Sequence, residues 1–93
     1  MKKRAHFIMH GDVKGVGFRF LTKQKATELG LKGYCRAFEQ NEIVMEIEGE
    51  EEKMDLFVAY IQKGVSPLAS ITSYSVTFFE DLKGYRTMET DIV

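Results

Sequence analysis

From Ala5 to His10 the chain alternates, with Ala5, Phe7 and Met9 on one side and His6, Ile8 and His10 on the other. That period of two predicts a strand with one buried face. Gly11, Gly15 and Gly17 then break the pattern, and a helix-favouring run follows from Phe18 to Leu29, stopped by Gly30. Lys32 to Glu39 and Ile43 to Glu48 read as two strands of a hairpin joined around Gln40-Asn41, with Ile43, Met45 and Ile47 on the apolar side. Met54, Phe57, Val58 and Ile61 recur at helical spacing behind the acids Glu50, Glu51 and Glu52, which suit a helix N-terminus, and Gly64 is the expected C-cap. After the turn-forming Ser66-Pro67, Ile71 to Phe79 places Tyr74, Val76 and Phe78 opposite Ser73, Ser75 and Thr77. A weakly patterned strand is expected near Tyr85 to Thr90. The order strand, helix, strand, strand, helix, strand predicts an α+β split βαβ sandwich (βαββαβ), with two helices packed on one face of an antiparallel sheet.

Composition narrows the function classes. Ninety-three residues suit one domain, 1–93, and 44% hydrophobic content suffices for one core. Thirteen basic residues balance fourteen acidic ones, so no strong field draws the chain to nucleic acid or an anionic membrane, and any anion recognition is local. Met1-Lys2-Lys3-Arg4 has the charge of an export signal, but the apolar run behind it ends at His10 and Gly11, too early for one. The lone cysteine, Cys35, has no internal disulfide partner and lies on the apolar side of its strand, so it reads as core packing in a cytoplasmic protein. His6 and His10 share a strand face about 13 Å apart, too far to chelate one metal, and read as surface residues. The acids from Glu48 to Glu52 read as helix N-terminal charges rather than a cation site.

The candidate chemistry lies in Gly11-Asp12-Val13-Lys14-Gly15-Val16-Gly17-Phe18-Arg19. A strand, a glycine-rich turn and a helix N-terminus aim backbone N–H groups at one spot where the helix dipole also favours negative charge. Arg19, at the junction of loop and helix, carries a planar guanidinium suited to two phosphoryl oxygens.

This nonapeptide resembles the first signature of the acylphosphatase family, which Gly11, Val13, Gly15, Val16, Phe18 and Arg19 match. The second signature resembles Gly33-Tyr34-Cys35-Arg36-Ala37, with Gly49 as its distant closing glycine. The resemblance covers nearly the whole chain and implies a ferredoxin-like fold that hydrolyses acyl phosphates without metal or organic cofactor. It implies that the backbone of Lys14, Gly15, Val16, Gly17 and Phe18, together with Arg19, binds the phosphoryl group. Three positions depart from the family pattern. Lys14 stands for its glutamine, Asn41 for its hairpin glycine, and Ala37 for the asparagine that orients the attacking water. A methyl group orients no water.

Two functions from different classes follow. One is an acylphosphatase of lowered activity acting on small-molecule acyl phosphates as a monomer, without nucleic-acid or membrane partners. The other is a binding module that keeps the anion cradle for phosphate or an acyl phosphate and has lost the chemistry. RNA binding through the open sheet face would need a basic excess and stacking aromatics, and neither pattern is present.

Overall fold

A computed structural model describes residues 1–12, 17–38, 42–63 and 70–90. In chain order it contains β1 (Lys2–Asp12), α1 (Phe18–Glu28), β2 (Lys32–Ala37), β3 (Glu42–Glu50), α2 (Glu51–Gln62), β4 (Ser70–Phe79) and β5 (Met88–Thr90). The strands form one sheet in the order β4-β1-β3-β2-β5. The expected antiparallel pairings join β1 to β3, β1 to β4 and β2 to β3. The strand expected near the end of the chain is β5, and it pairs with β2 over Gly33 to Cys35 in parallel, so the sheet is mixed rather than wholly antiparallel. The predicted C-cap Gly64, the turn at Ser66-Pro67 and the hairpin tip at Gln40-Asn41 lie outside the described residues.

Alternation along each strand decides which face the helices cover. Ala5, Phe7 and Met9 of β1, Cys35 of β2, and Ile43, Met45 and Ile47 of β3 are completely buried. Against them α1 buries Phe18, Thr22 and Ala26, and α2 buries Met54, Phe57 and Ile61. Phe7 and Phe57 meet edge to face with centroids 6.0 Å apart, a favoured aromatic geometry. At the β4 edge cover is thinner, so Val76 packs on the core while Tyr74 and Phe78 stay exposed.

The two signature glycines of the β2–β3 region are explained by packing. A Cβ at Gly33, where φ is +150°, would lie 1.9 Å from the Glu46 carbonyl oxygen, and one at Gly49 would lie 2.6 Å from Leu31 Cδ2.

The other face of the sheet is crossed by residues 80–87, which run from β4 at one edge to β5 at the other. The expected strand from Tyr85 to Thr90 is therefore shorter than its pattern, because Tyr85 spends its polar groups on this crossing. Its N–H donates to Glu48 at 2.7 Å and its hydroxyl donates to Glu46 at 2.5 Å. The Lys83 N–H also donates to Glu48, at 2.8 Å, and Arg4 donates to both the backbone and the carboxylate of Asp81 at 3.1 Å. Glu48 thus belongs to β3 and anchors this strap, which corrects its reading as a helix N-terminal charge.

Candidate active site

The site is assembled where β1 ends, α1 begins and β2 ends. β1 and β2 are both antiparallel to β3 and so run the same way, which brings their C-terminal ends to one edge of the sheet. Met9, Ile43 and Ala37 form one cross-strand row there. Beyond it the β1–β4 register shifts between His10 and Gly11, a β-bulge of the kind that re-aims a strand as it leaves the sheet. Residues 13–16, which include the predicted cradle residues Lys14, Gly15 and Val16, lie outside the described residues.

The chain re-emerges at Gly17, the N-cap of α1, with φ 75° and ψ 13°. That left-handed conformation favours glycine and lets the backbone turn directly into the helix. The Leu21 N–H donates to the Gly17 carbonyl at 2.9 Å, which closes the first turn and leaves the amides before Leu21 without intrahelical acceptors. The first turn of α1 contains no acid, whereas α2 carries Glu51 and Glu52 there. The positive end of the α1 dipole thus meets no carboxylate in its own first turn, while that of α2 is met by Glu51 and Glu52. Phe18 is buried and pins the first turn to the core, and Arg19 is half-buried beside it.

Ala37 ends β2 on the helix-covered side, half-buried and packed against the core. Gly17, Phe18, Arg19 and Ala37 therefore share one corner of the fold. The histidines stand elsewhere, on the opposite face, each with its own acid. His10 Nε2 is 2.7 Å from Glu42, and His6 Nδ1 is 3.0 Å from Glu46, so His6 is a half-buried member of a network rather than a surface residue. Cys35 is fully buried, in accord with core packing. A cleft of about 500 Å3 lined by Lys23, Leu31, Arg86 and Met88 opens at the far end of α1, away from Arg19 and Ala37.

Burial works to raise the Glu46 pKa, but hydrogen bonds from Tyr85, His6 and Lys83 outweigh it and bring the carboxyl down to about 2. Burial and the neighbouring Glu46 carboxylate push the Tyr85 phenol well above its ordinary value, so it remains a proton donor. This network belongs to the strap, on the sheet face away from the helices.

One residue near that corner escaped the sequence reading. Thr22 is completely buried on α1, and its hydroxyl has no hydrogen-bond partner among the described protein groups. The available signal was its spacing, four residues from Phe18 and four from Ala26, which puts a hydroxyl on an otherwise apolar stripe.

The chain is 32% identical over 88 residues to an acylphosphatase of Vibrio parahaemolyticus, covering 92% of this chain and 97% of that one. It is 35% identical over 79 residues to an acylphosphatase of Archaeoglobus fulgidus, covering 85% and 86%. The crystal structure of acylphosphatase from Bacillus subtilis superposes with a TM-score of 0.89 at 28% identity, covering 95% of this chain and 97% of that one. The acylphosphatase family model matches residues 5–89, and the chain belongs to the acylphosphatase family.

Proposed function

We propose that the protein hydrolyses the carboxyl-phosphate bond of small acyl phosphates, with turnover lowered by Ala37. Family membership supports the reaction class. The observation that carries the site assignment is the α1 N-terminus, with an acid-free first turn and Arg19 beside it. In this reading the main-chain amides of Lys14, Gly15, Val16, Gly17 and Phe18 cradle the phosphoryl oxygens, and Arg19 neutralises charge on them as the leaving bond stretches.

The chemistry asks little of the protein beyond placement. The oxygen of a water forms a bond to phosphorus, the bond from phosphorus to the acyl oxygen breaks, and its electron pair leaves with the carboxylate. An acyl phosphate dianion and water give a carboxylate and dihydrogen phosphate, so both water hydrogens end on phosphate oxygens and no separate base is required. What remains is to hold the phosphoryl group and aim the water. Losing one aiming group costs on the order of a hundredfold. An activated substrate still turns over under such a loss. Among the described residues no helix is long and apolar enough to cross a membrane, and we assign the protein to the cytoplasm as a monomeric single domain acting on small molecules.

Hydrolysis of benzoyl phosphate by wild type, Arg19→Ala and Ala37→Asn tests this. Wild type exceeds the buffer rate, Arg19→Ala abolishes the excess, and Ala37→Asn raises kcat by roughly tenfold or more. Ala37 also favours a second reading, a phosphate-binding module without catalysis. It predicts phosphate binding that is lost in Arg19→Ala, with wild-type hydrolysis no faster than buffer, and that result overturns the enzymatic reading.

A further inference from the structure

The cleft of about 500 Å3 beside the last turns of α1 has the size of a site for a small organic ligand. Its apolar lining comes from Leu31 and Met88, whose remaining surface is buried in the core. Three exposed cations share it: Lys23 from α1, Lys32 from the start of β2 and Arg86 from just before β5. Among the described residues none of the three has an ion-pair partner, whereas Lys3, Arg4, Lys25 and Lys83 each sit on a carboxylate. The acid in the lining, Glu89, accepts from the Thr87 hydroxyl at 3.3 Å. Three cations against one carboxylate leave two positive charges in excess, in a chain whose net charge is -1. The helix dipole does not account for them. The basic residue in the last turn of α1 is Lys25, which pairs with Glu28 at 3.4 Å. The carbonyls of Lys25, Ala26 and Thr27 already accept from the N–H groups of Leu29, Leu31 and Gly30, so the negative end of the helix offers few free acceptors to repel an anion.

We propose that this cleft binds a small organic phosphate monoester, with its dianionic head among Lys23, Lys32 and Arg86 and its apolar body on Leu31 and Met88. The charge count favours such a head, because a dianion matches the two excess charges and a single carboxylate leaves one of them unmet. The planar guanidinium of Arg86 suits two phosphoryl oxygens at once, and the lysine ammonium groups serve the third as point charges. The apolar surface adds what free phosphate cannot use, since covering it removes hydrocarbon from water. Within a cleft the charges are also less screened than on an open surface. The site contains neither Arg19 nor Ala37 and needs no turnover at the other end of α1.

The probe is phenyl phosphate, titrated at about pH 7.5, where its head carries nearly two charges, and followed by backbone amide NMR shifts. Benzoate, inorganic phosphate and benzyl alcohol are titrated in parallel. Phenyl phosphate shifts the amides of Thr27, Gly30, Lys32, Thr87 and Glu89, and the affinity read from them falls as salt is raised. Lys23→Glu/Lys32→Glu weakens it by roughly tenfold or more, and Arg86→Lys, which keeps the charge and loses the fork, weakens it by about threefold. Both variants alter exposed side chains and keep the wild-type spectrum elsewhere. Inorganic phosphate and benzoate bind there at least about fivefold more weakly, and benzyl alcohol leaves these amides unmoved. The proposal is overturned if phenyl phosphate shifts only the amides around Gly17 to Arg19, if the charge-reversed variant binds as tightly as wild type, or if inorganic phosphate or benzoate matches phenyl phosphate at the cleft amides. Because the readout is site by site and involves no hydrolysis, none of these results bears on the enzymatic reading.

Discussion

Replacing Glu46 by glutamine tests whether the polar strap is a structural element or a surface ornament. Glu46 is 3% exposed and has four partners on other elements. Arg4 lies at 3.1 Å, His6 at 3.0 Å, Lys83 at 3.0 Å and the Tyr85 hydroxyl at 2.5 Å. Its folded pKa is depressed from 4.5 to about 2. A group with a depressed folded pKa contributes stability that is fully present above the unfolded value and is lost as pH falls through the folded one. The window here therefore runs from about pH 4.5 down to about pH 2. At roughly 1.4 kcal/mol per pKa unit, the shift corresponds to about 3 kcal/mol at pH 7, with between about 1 and 2 kcal/mol left at pH 3. Glutamine keeps the size, and its neutral amide stands in for the protonated acid. Glu46→Gln should therefore unfold about 3 kcal/mol more easily than wild type at pH 7, a fall of roughly 10–20 °C in melting temperature for a domain of this size. The difference should shrink to less than half at pH 3. Urea unfolding followed by far-UV circular dichroism at the two pH values measures both numbers. A variant as stable as wild type at pH 7, or a penalty of equal size at pH 3, would refute the reasoning.

Two further substitutions separate kinds of packing. Gly33→Ala drives a Cβ into the Glu46 carbonyl and the Ile47 Cα, backbone atoms that cannot step aside, so it should cost more than about 3 kcal/mol or prevent folding. Gly49→Ala meets only the tip of the Leu31 side chain and should cost about 1 kcal/mol, and thermal melts showing the reverse order would refute this assignment. Phe57→Ala removes a fully buried ring that packs on Phe7 and should cost about 3–5 kcal/mol with an unchanged urea m-value. A loss below about 1 kcal/mol would place that ring outside the core.

The helix-covered half of the molecule was legible because its signals are local. A period of two along β1 and β3 and a period near four along α2 identify Phe7, Met45 and Phe57 as core without knowledge of what they touch. The opposite face obeys the same alternation, and there the rule misleads. Arg4, His6, Glu46 and Glu48 stand at polar positions that pattern alone assigns to solvent, yet Arg4, Glu46 and Glu48 are buried. What covers them is residues 80–87, which have no periodicity of their own and meet β1 and β3 across tens of residues of chain. No local window contains both sides of those bonds. A usable trace did exist, since basic residue types on β1 face acids on β3 in register, Arg4 opposite Glu48 and His6 opposite Glu46. Cross-strand charge pairing of that kind contributes to sheet stability, and once the hairpin and β1 were placed side by side it marked a face that need not stay open. The same limit applies to Thr22. Its helical spacing shows that the side chain turns inward, but only the tertiary structure shows that no polar group among the described residues answers its hydroxyl. Whether a buried group finds a partner is a property of the assembled fold, and no period along the chain records it.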